Sequence, residues 1–275
     1  MYENAIRYAR KESVPDHLKR VSELWARFNE VAIQNPNAWI QDAFTAEEIR
    51  TPTDANRRIS FPYTKMMNAN MAVDMGAAII LCSVEKAREL RIPEEKWVYP
   101  LAGVQGYDHF SASVRDNFHS SPGLGLVGKR VMELAKVSPE EVDYVDLYSC
   151  FPVAVQMFAK SLKLKDIKDK TVTGAMPFAG GPLNSYVLHS TAKLIEKLRE
   201  NNGIGIVTGV SGMMTKQSYA LWSKNKEIDF IHKDVTKDAE TIEKALELSE
   251  FEDGEGKIVG YTVINKKDIN KAIKY

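Results

Sequence analysis

A continuous apolar run, Asp74-Met-Gly-Ala-Ala-Ile-Ile-Leu-Cys82, constrains the fold more than any other feature of the chain. Its length is that of a strand. Its lack of a polar face predicts a strand buried on both sides, which requires a sheet with layers above and below it. On this reading Cys82 belongs to the core. Ser83 caps a helix over Val84–Leu90 that stops before Pro93.

The flanking segments supply the layers. Residues 5–34 read as helix, with Val21, Leu24, Trp25, Phe28, Val31 and Ala32 at helical spacing. Thr45-Ala-Glu-Glu48 has the form of a capping box, and Thr51–Pro62 is rich in breakers and reads as loop. Trp97–Val104 is a second strand. Ser120-Ser121-Pro122 opens a helix to about Lys136, followed by a strand at Val142–Leu147 and a helix at Pro152–Leu162. A loop at Gly180-Gly181-Pro182 leads to a helix from Ser185 to Arg199. Asn201-Asn202-Gly203 ends it, and Ile204–Val207 reads as another buried strand. Residues 233–250 read as a charged helix and Lys257–Ile264 as a strand, a small appended element. Alternating helices and strands predict a layered α/β fold.

Bulk properties exclude several function classes. Lys+Arg and Asp+Glu are both 37, so no broad cationic face for nucleic acid is expected. No apolar run reaches the roughly 20 residues of a membrane helix. Two cysteines make no disulfide framework and fit a reducing, cytoplasmic setting. The five histidines show no metal-ligand spacing with the cysteines, so no metal is expected.

Two motifs mislead. Gly123-Leu-Gly125-Leu-Val-Gly128 matches G-x-G-x-x-G, but Ser120-Ser121-Pro122 puts its glycines inside a helix, where small residues permit close packing. Val210-Ser211-Gly212 resembles part of a nucleophile elbow, but Met213 stands where glycine is needed. Cys150, in Asp146-Leu-Tyr148-Ser-Cys150-Phe-Pro152, lies just past a strand. Active sites of open α/β sheets gather there, and a helix N-terminus lowers a thiol pKa; simple packing of a buried cysteine is the alternative. His189, early in the helix after the glycine pair, is a candidate acid or base or a satisfied packing histidine.

Taken in order, these segments resemble the thiolase superfamily, and most of all the divergent bacterial type-1 thiolase-like proteins labelled acetyl-CoA acetyltransferases. Val73–Ser83 with Glu85–Leu90 resembles the close of the N-terminal thiolase domain. Pro122–Lys136 and Ser138–Asp146 resemble the first helix and strand of the C-terminal domain. Tyr148-Ser-Cys-Phe151 falls where thiolases carry NEAF or HDCF, Gly180-Gly-Pro-Leu183 on the GHP loop, and Thr208–Met213 on the final C-x-G loop. The resemblance implies a thiolase-like layered fold, incomplete, with a helical loop region at 1–64, the end of the N-terminal domain at 65–110, the C-terminal domain at 111–232 and part of an additional domain at 233–275.

It also implies an acyl-CoA acyltransferase, or the C-terminal component of one. A coenzyme A thioester is the substrate and no cofactor is covalently bound. Cys150 stands at the HDCF cysteine position and would act as acid/base, with Tyr148 where Asn or His helps hold an oxyanion site. Gly181 replaces the GHP histidine, and His189 or Asn184 would stand in for it by proximity. Gly181 and Asn184, with Ser211 and Gly212, are the candidate substrate-binding positions, the last two offering backbone N–H groups to a thioester oxygen. The segment with the acyl-accepting cysteine has no counterpart here, and the last loop has no cysteine. The expected partners are therefore acyl-CoA and either a separate N-terminal half or further copies of the chain. A non-catalytic CoA-binding or scaffold protein, and a product truncated at both ends, are the alternatives.

Overall fold

The computed structural model describes residues 1–164, 170–225, 228–250 and 253–265. Its elements in order are α1 (Tyr2–Ala9), α2 (Val14–Ile33), α3 (Ala46–Arg50), α4 (Val84–Glu89), β1 (Tyr99–Tyr107), α5 (Pro122–Ala135) and β2 (Tyr144–Asp146). There follow α6 (Pro152–Ser161), α7 (Met176–Ala179), α8 (Tyr186–Asn201), β3 (Ile204–Ser211), β4 (Lys216–Ser223), β5 (Ile231–Asp234) and α9 (Thr236–Ile242).

The strands form one sheet in the order β2-β3-β4-β1-β5. β2 runs parallel to β3 and β1 to β5, while β4 is antiparallel to both of its neighbours. Apart from β4, every strand therefore ends at the same edge of the molecule. α5 lies against β1 and β4, and α8 against β2 and β3. The strand period assigns successive residues to opposite layers. Ile206 and Leu221 join the main core with Val127, Val131 and Phe158 of α5 and α6, whereas Val207 and Trp222 pack with Leu194 and Leu198 of α8.

The capping residues act as the sequence predicts. Ser121 accepts from the Leu124 N–H with Pro122 in the first turn, and Thr45 and Glu48 complete a capping box. The three glycines of the G-x-G-x-x-G match lie in α5. A Cβ at Gly128 would crowd Leu162 and Tyr219, so its role is close packing. The predicted helix over 5–34 is two helices. Lys11 adopts a left-handed φ of 55°, and Ser13 then caps α2.

The apolar run departs most from expectation. Among the described residues, 74–82 joins no strand. It is an extended ribbon in which Val73, Met75, Ala77 and Ile79 are half-buried while Asp74, Gly76, Ala78 and Ile80 are exposed. Ile80 is 88% exposed and Leu81 71%, and Cys82 is exposed too, not core. The ribbon has strand-like packing on one face and no ladder beside it. Lys257–Ile264 likewise forms no strand, only a bridge between Ser60 and Ile264, and helix in 233–250 is confined to α9. Residues 251–252 and 266–275 of that appended element lie outside the described residues.

Candidate functional site

The carboxyl edge of the sheet carries the loops that the sequence marks. β2 runs through Leu147 into Tyr148–Phe151, and α6 begins at Pro152 with Phe151 as its N-cap residue. The Tyr148 N–H donates to Thr208 Oγ1 of β3 at 2.8 Å. The Met176 N–H donates to Ser149 Oγ at 3.0 Å. Beside them, Ala69 and Asn70 act as a bridge. The Ala69 N–H donates to the Cys150 carbonyl at 3.0 Å, and the Asn70 carbonyl accepts from Gly181 N–H at 2.8 Å. Two of the three marked loops are thereby tied together.

The third meets the first through the bond from the Tyr148 N–H to Thr208 Oγ1. β3 continues through Ser211, so Thr208–Ser211 is strand, and the turn is 212–215 with Gly212 at a left-handed φ of 63°. Ser211 and Gly212 are exposed. The Gly181 N–H is already committed to Asn70, which leaves it no donor for a ligand. Gly180 needs its φ of 104°, and a Cβ there would collide with Met75 of the ribbon. Asn184 is exposed in a turn of 3-10 helix.

Cys150 is partly buried and packs against the main core. Burial pushes its thiol up to about 12, against the backbone N–H groups of Phe151 and Cys150, which favour the thiolate. The lowered pKa expected at a helix N-terminus is thus reversed. Pro152 has no N–H, the Val153 N–H donates to Tyr63 Oη at 3.3 Å and the Ala154 N–H to the Phe151 carbonyl at 3.1 Å, so the first turn has little left for sulfur. The Tyr148 hydroxyl is also raised, by burial and then by nearby Cys150. The Tyr148 ring meets Tyr186 edge-on, with centroids 5.6 Å apart.

His189 sits one turn beyond Tyr186 on α8. It lines a cavity of about 330 Å³ with Asn35, Met75, Thr173, Gly180 and Tyr186. Burial lowers its pKa, and its Nε2 is buried without a hydrogen-bond partner. The imidazole thus borders this space with its protonation disfavoured by burial. No described contact joins His189 to Cys150, and the cavity lining does not include Cys150.

Sequence reasoning misses the group that holds this region together. Asp146, fully buried at the end of β2, accepts from Thr171 Oγ1, Val172 N–H, Thr173 N–H, Thr173 Oγ1 and Tyr186 Oη at 2.9–3.2 Å. Burial raises its pKa, against the pull of these donors. It joins the carboxyl end of β2 to the segment before α7 and to the first residue of α8. An acidic residue closing an apolar strand is the available signal. Among the described residues no group of His, Cys, Asp and Glu is arranged to hold a metal ion, and no helix is long and apolar enough to cross a membrane.

No protein-family model matches the chain. A monomeric SCP2-thiolase-like protein type 1 from Mycobacterium smegmatis superposes over 96% of the chain with a TM-score of 0.87 and 31% identity. The chain is a divergent member of the thiolase superfamily. A curated relative, the acetyl-CoA acetyltransferase of Methanocaldococcus jannaschii, is 21% identical over 178 residues. Human mitochondrial 3-ketoacyl-CoA thiolase, 16% identical with a TM-score of 0.56, shares the fold over 81% of the chain, as does the Ltp2-ChsH2(DUF35) aldolase over 83% with a TM-score of 0.65. This thiolase-like chain spans 59% of the mycobacterial protein and 45% of the archaeal one.

Proposed function

We propose that the chain supplies the C-terminal part of a thiolase-like acyl-CoA acyltransferase site, completed by a first thiolase half that brings the acyl-accepting nucleophile. The observation that carries this reading is the bridge through Ala69–Asn70, which ties the Cys150 loop to the Gly180–Leu183 loop at the carboxyl edge of the sheet. In the proposed cleavage the nucleophile of the first half takes the acyl group as the bond to the α-carbon of the coenzyme A thioester breaks, and Cys150, a protonated thiol, gives its proton to the departing enolate carbon, with Tyr148 bordering it. The unpaired face of the 74–82 ribbon supports the partner, since a strand of that composition is completed by a neighbour. The proposed setting is cytoplasmic.

The test is thiolytic cleavage of acetoacetyl-CoA by the chain combined with a first thiolase half. Cys150→Ala is expected to lower turnover by roughly two to four orders of magnitude, the usual contribution of a positioned acid or base. An unchanged rate removes that role. The raised thiol pKa favours one second reading, a CoA-binding scaffold without chemistry. Calorimetric titration with coenzyme A giving binding heat, alongside turnover that Cys150→Ala does not alter, would establish it.

A further inference from the structure

Beneath Cys150 lies a row of hydrogen-bonded side chains that the reading above leaves unused. It starts near the surface at Glu12, which accepts from Arg10 Nε at 2.7 Å and from Arg20 Nε at 2.9 Å. Glu12 Oε2 lies 2.6 Å from His17 Nδ1, and His17 Nε2 lies 2.7 Å from Glu3 Oε1. Gln156 Nε2 of α6 also donates to Glu3 Oε1, at 2.7 Å. The other oxygen of Glu3 accepts from the Tyr63 hydroxyl. His17 and Glu3 side chains are each 1% exposed. Titratable groups buried this deeply and bonded in series are costly unless each has a partner.

The row ends against the reactive loop. The Tyr63 ring stacks on Phe151 with centroids 5.9 Å apart, and its oxygen accepts from the Val153 N–H of α6. Tyr63 thus reaches the Cys150 loop through the Phe151 ring on one side of the sulfur's residue and the Val153 N–H on the helix that follows it. A tyrosine has one proton to donate. Here it is spent on Glu3, so toward the start of α6 the Tyr63 oxygen acts only as an acceptor, for the Val153 N–H. The same oxygen also occupies a helix N–H that would otherwise stabilise a thiolate. The row is itself fixed by the charged groups around it: Arg10 and Arg20 on Glu12, and the Met1 amine near Glu3.

We propose that Tyr63 is a positioning residue that keeps Cys150 as a thiol, and that the buried Glu12–His17–Glu3 chain fixes the direction of the Tyr63 hydroxyl. This deepens the acyl-transfer reading, in which Cys150 has a proton to give, and rests on it for its purpose though not for its measurement.

The test is the pH profile of iodoacetamide alkylation of Cys150 in the full chain carrying Cys82→Ser, which leaves a single thiol. Only the thiolate reacts. With Tyr63 in place, the logarithm of the rate is expected to climb with unit slope from neutral pH to about pH 10 without levelling. In Tyr63→Phe, which leaves the burial in place but frees the Val153 N–H, the rate at pH 8 is expected to rise about threefold or more per unit of added thiol acidity, after allowing for lower nucleophilicity, and the slope to fall below unity as pH 10 is approached. A change of access alone multiplies the rate equally at every pH and produces no bend. Glu3→Gln gives the same sign, because its amide can donate to the Tyr63 oxygen and compete there with the Val153 N–H, which is then freed toward the thiolate.

Parallel profiles in the folded variants overturn the proposal, as does a profile of the Cys82→Ser protein that already levels below about pH 9. No turnover is involved. A negative result thus removes Tyr63 and leaves the acyl-transfer reading standing, while a shifted profile with unchanged turnover in Cys150→Ala removes only the catalytic role of Cys150.

Discussion

Asp146 shows how a single side chain can organise a site without touching a substrate. Its carboxylate satisfies the Val172 N–H, which burial would otherwise leave unpaired, and shares the Thr173 N–H with Thr171 Oγ1. Asp146→Ala strands the Val172 N–H and takes one partner from each of the Thr171, Thr173 and Tyr186 hydroxyls, and is expected to cost about 3 kcal/mol in urea unfolding. Asp146→Asn is expected to cost less and to change the pH dependence. Burial raises the folded-state pKa of Asp146, so the fold binds this proton more tightly than the unfolded chain does. Its contribution to stability is complete below the ordinary carboxylate range of about 4 and declines as pH rises through the folded value. Asp146→Asn removes that decline. At this scale the sequence exposes the residues of the loops at the sheet's carboxyl edge, Cys150 and Tyr148 among them, because strand-end position and motif order are local. It hides Asp146, Tyr63, Glu3 and His17, whose partners lie as far as 153 residues away.

Among elements, legibility follows the source of each one's stability. α5 and α8 are readable because caps and helical spacing are written within them. β4 is not read from sequence, since the Gly212-Met-Met-Thr215 turn lacks a hairpin signature and its register is set by β3 and β1. β5 is a polar, exposed edge held by backbone pairing with β1. The reverse error occurs at 74–82 and 257–264, where β-forming sequence has no ladder to join. α1, α2 and α6 are stapled by the Glu12–His17–Glu3–Gln156 row, and this makes their packing acid-sensitive. Burial works to raise the Glu12 carboxyl, but Arg20, Arg10 and His17 bring it down to about 2. A depressed folded pKa contributes stability above the ordinary glutamate value that is lost as pH falls toward the folded one. Between about pH 4.5 and 2, Glu12→Gln is therefore expected to show a shallower loss of unfolding free energy than the parent chain. Equal slopes in the two proteins would mean that the staple carries no pH-dependent stability.

For the whole molecule, the decisive geometry is what the ribbon leaves open. Ile79–Cys82 lines an apolar groove of about 840 Å³ with Trp97, Trp222 and Phe230, on the side of the sheet that also carries α8. Ile80 and Leu81, at the rim of this groove, leave most of their apolar surface exposed. Exposed apolar surface that runs into an unpaired extended backbone is a template for association. The chain on its own is therefore expected to self-associate as concentration rises, which sedimentation velocity measures directly. Ile80→Lys paired with Leu81→Lys should suppress this while leaving the urea midpoint within about 0.5 kcal/mol, because substitutions at exposed sites away from packing cost little. A first thiolase half that completes the sheet should suppress it too, and the same double substitution should then weaken capture of that half. Self-association that survives the lysines would place the contact on another face. Loss of self-association without loss of capture would separate the two surfaces, and the ribbon would no longer be the edge at which the second layer is built.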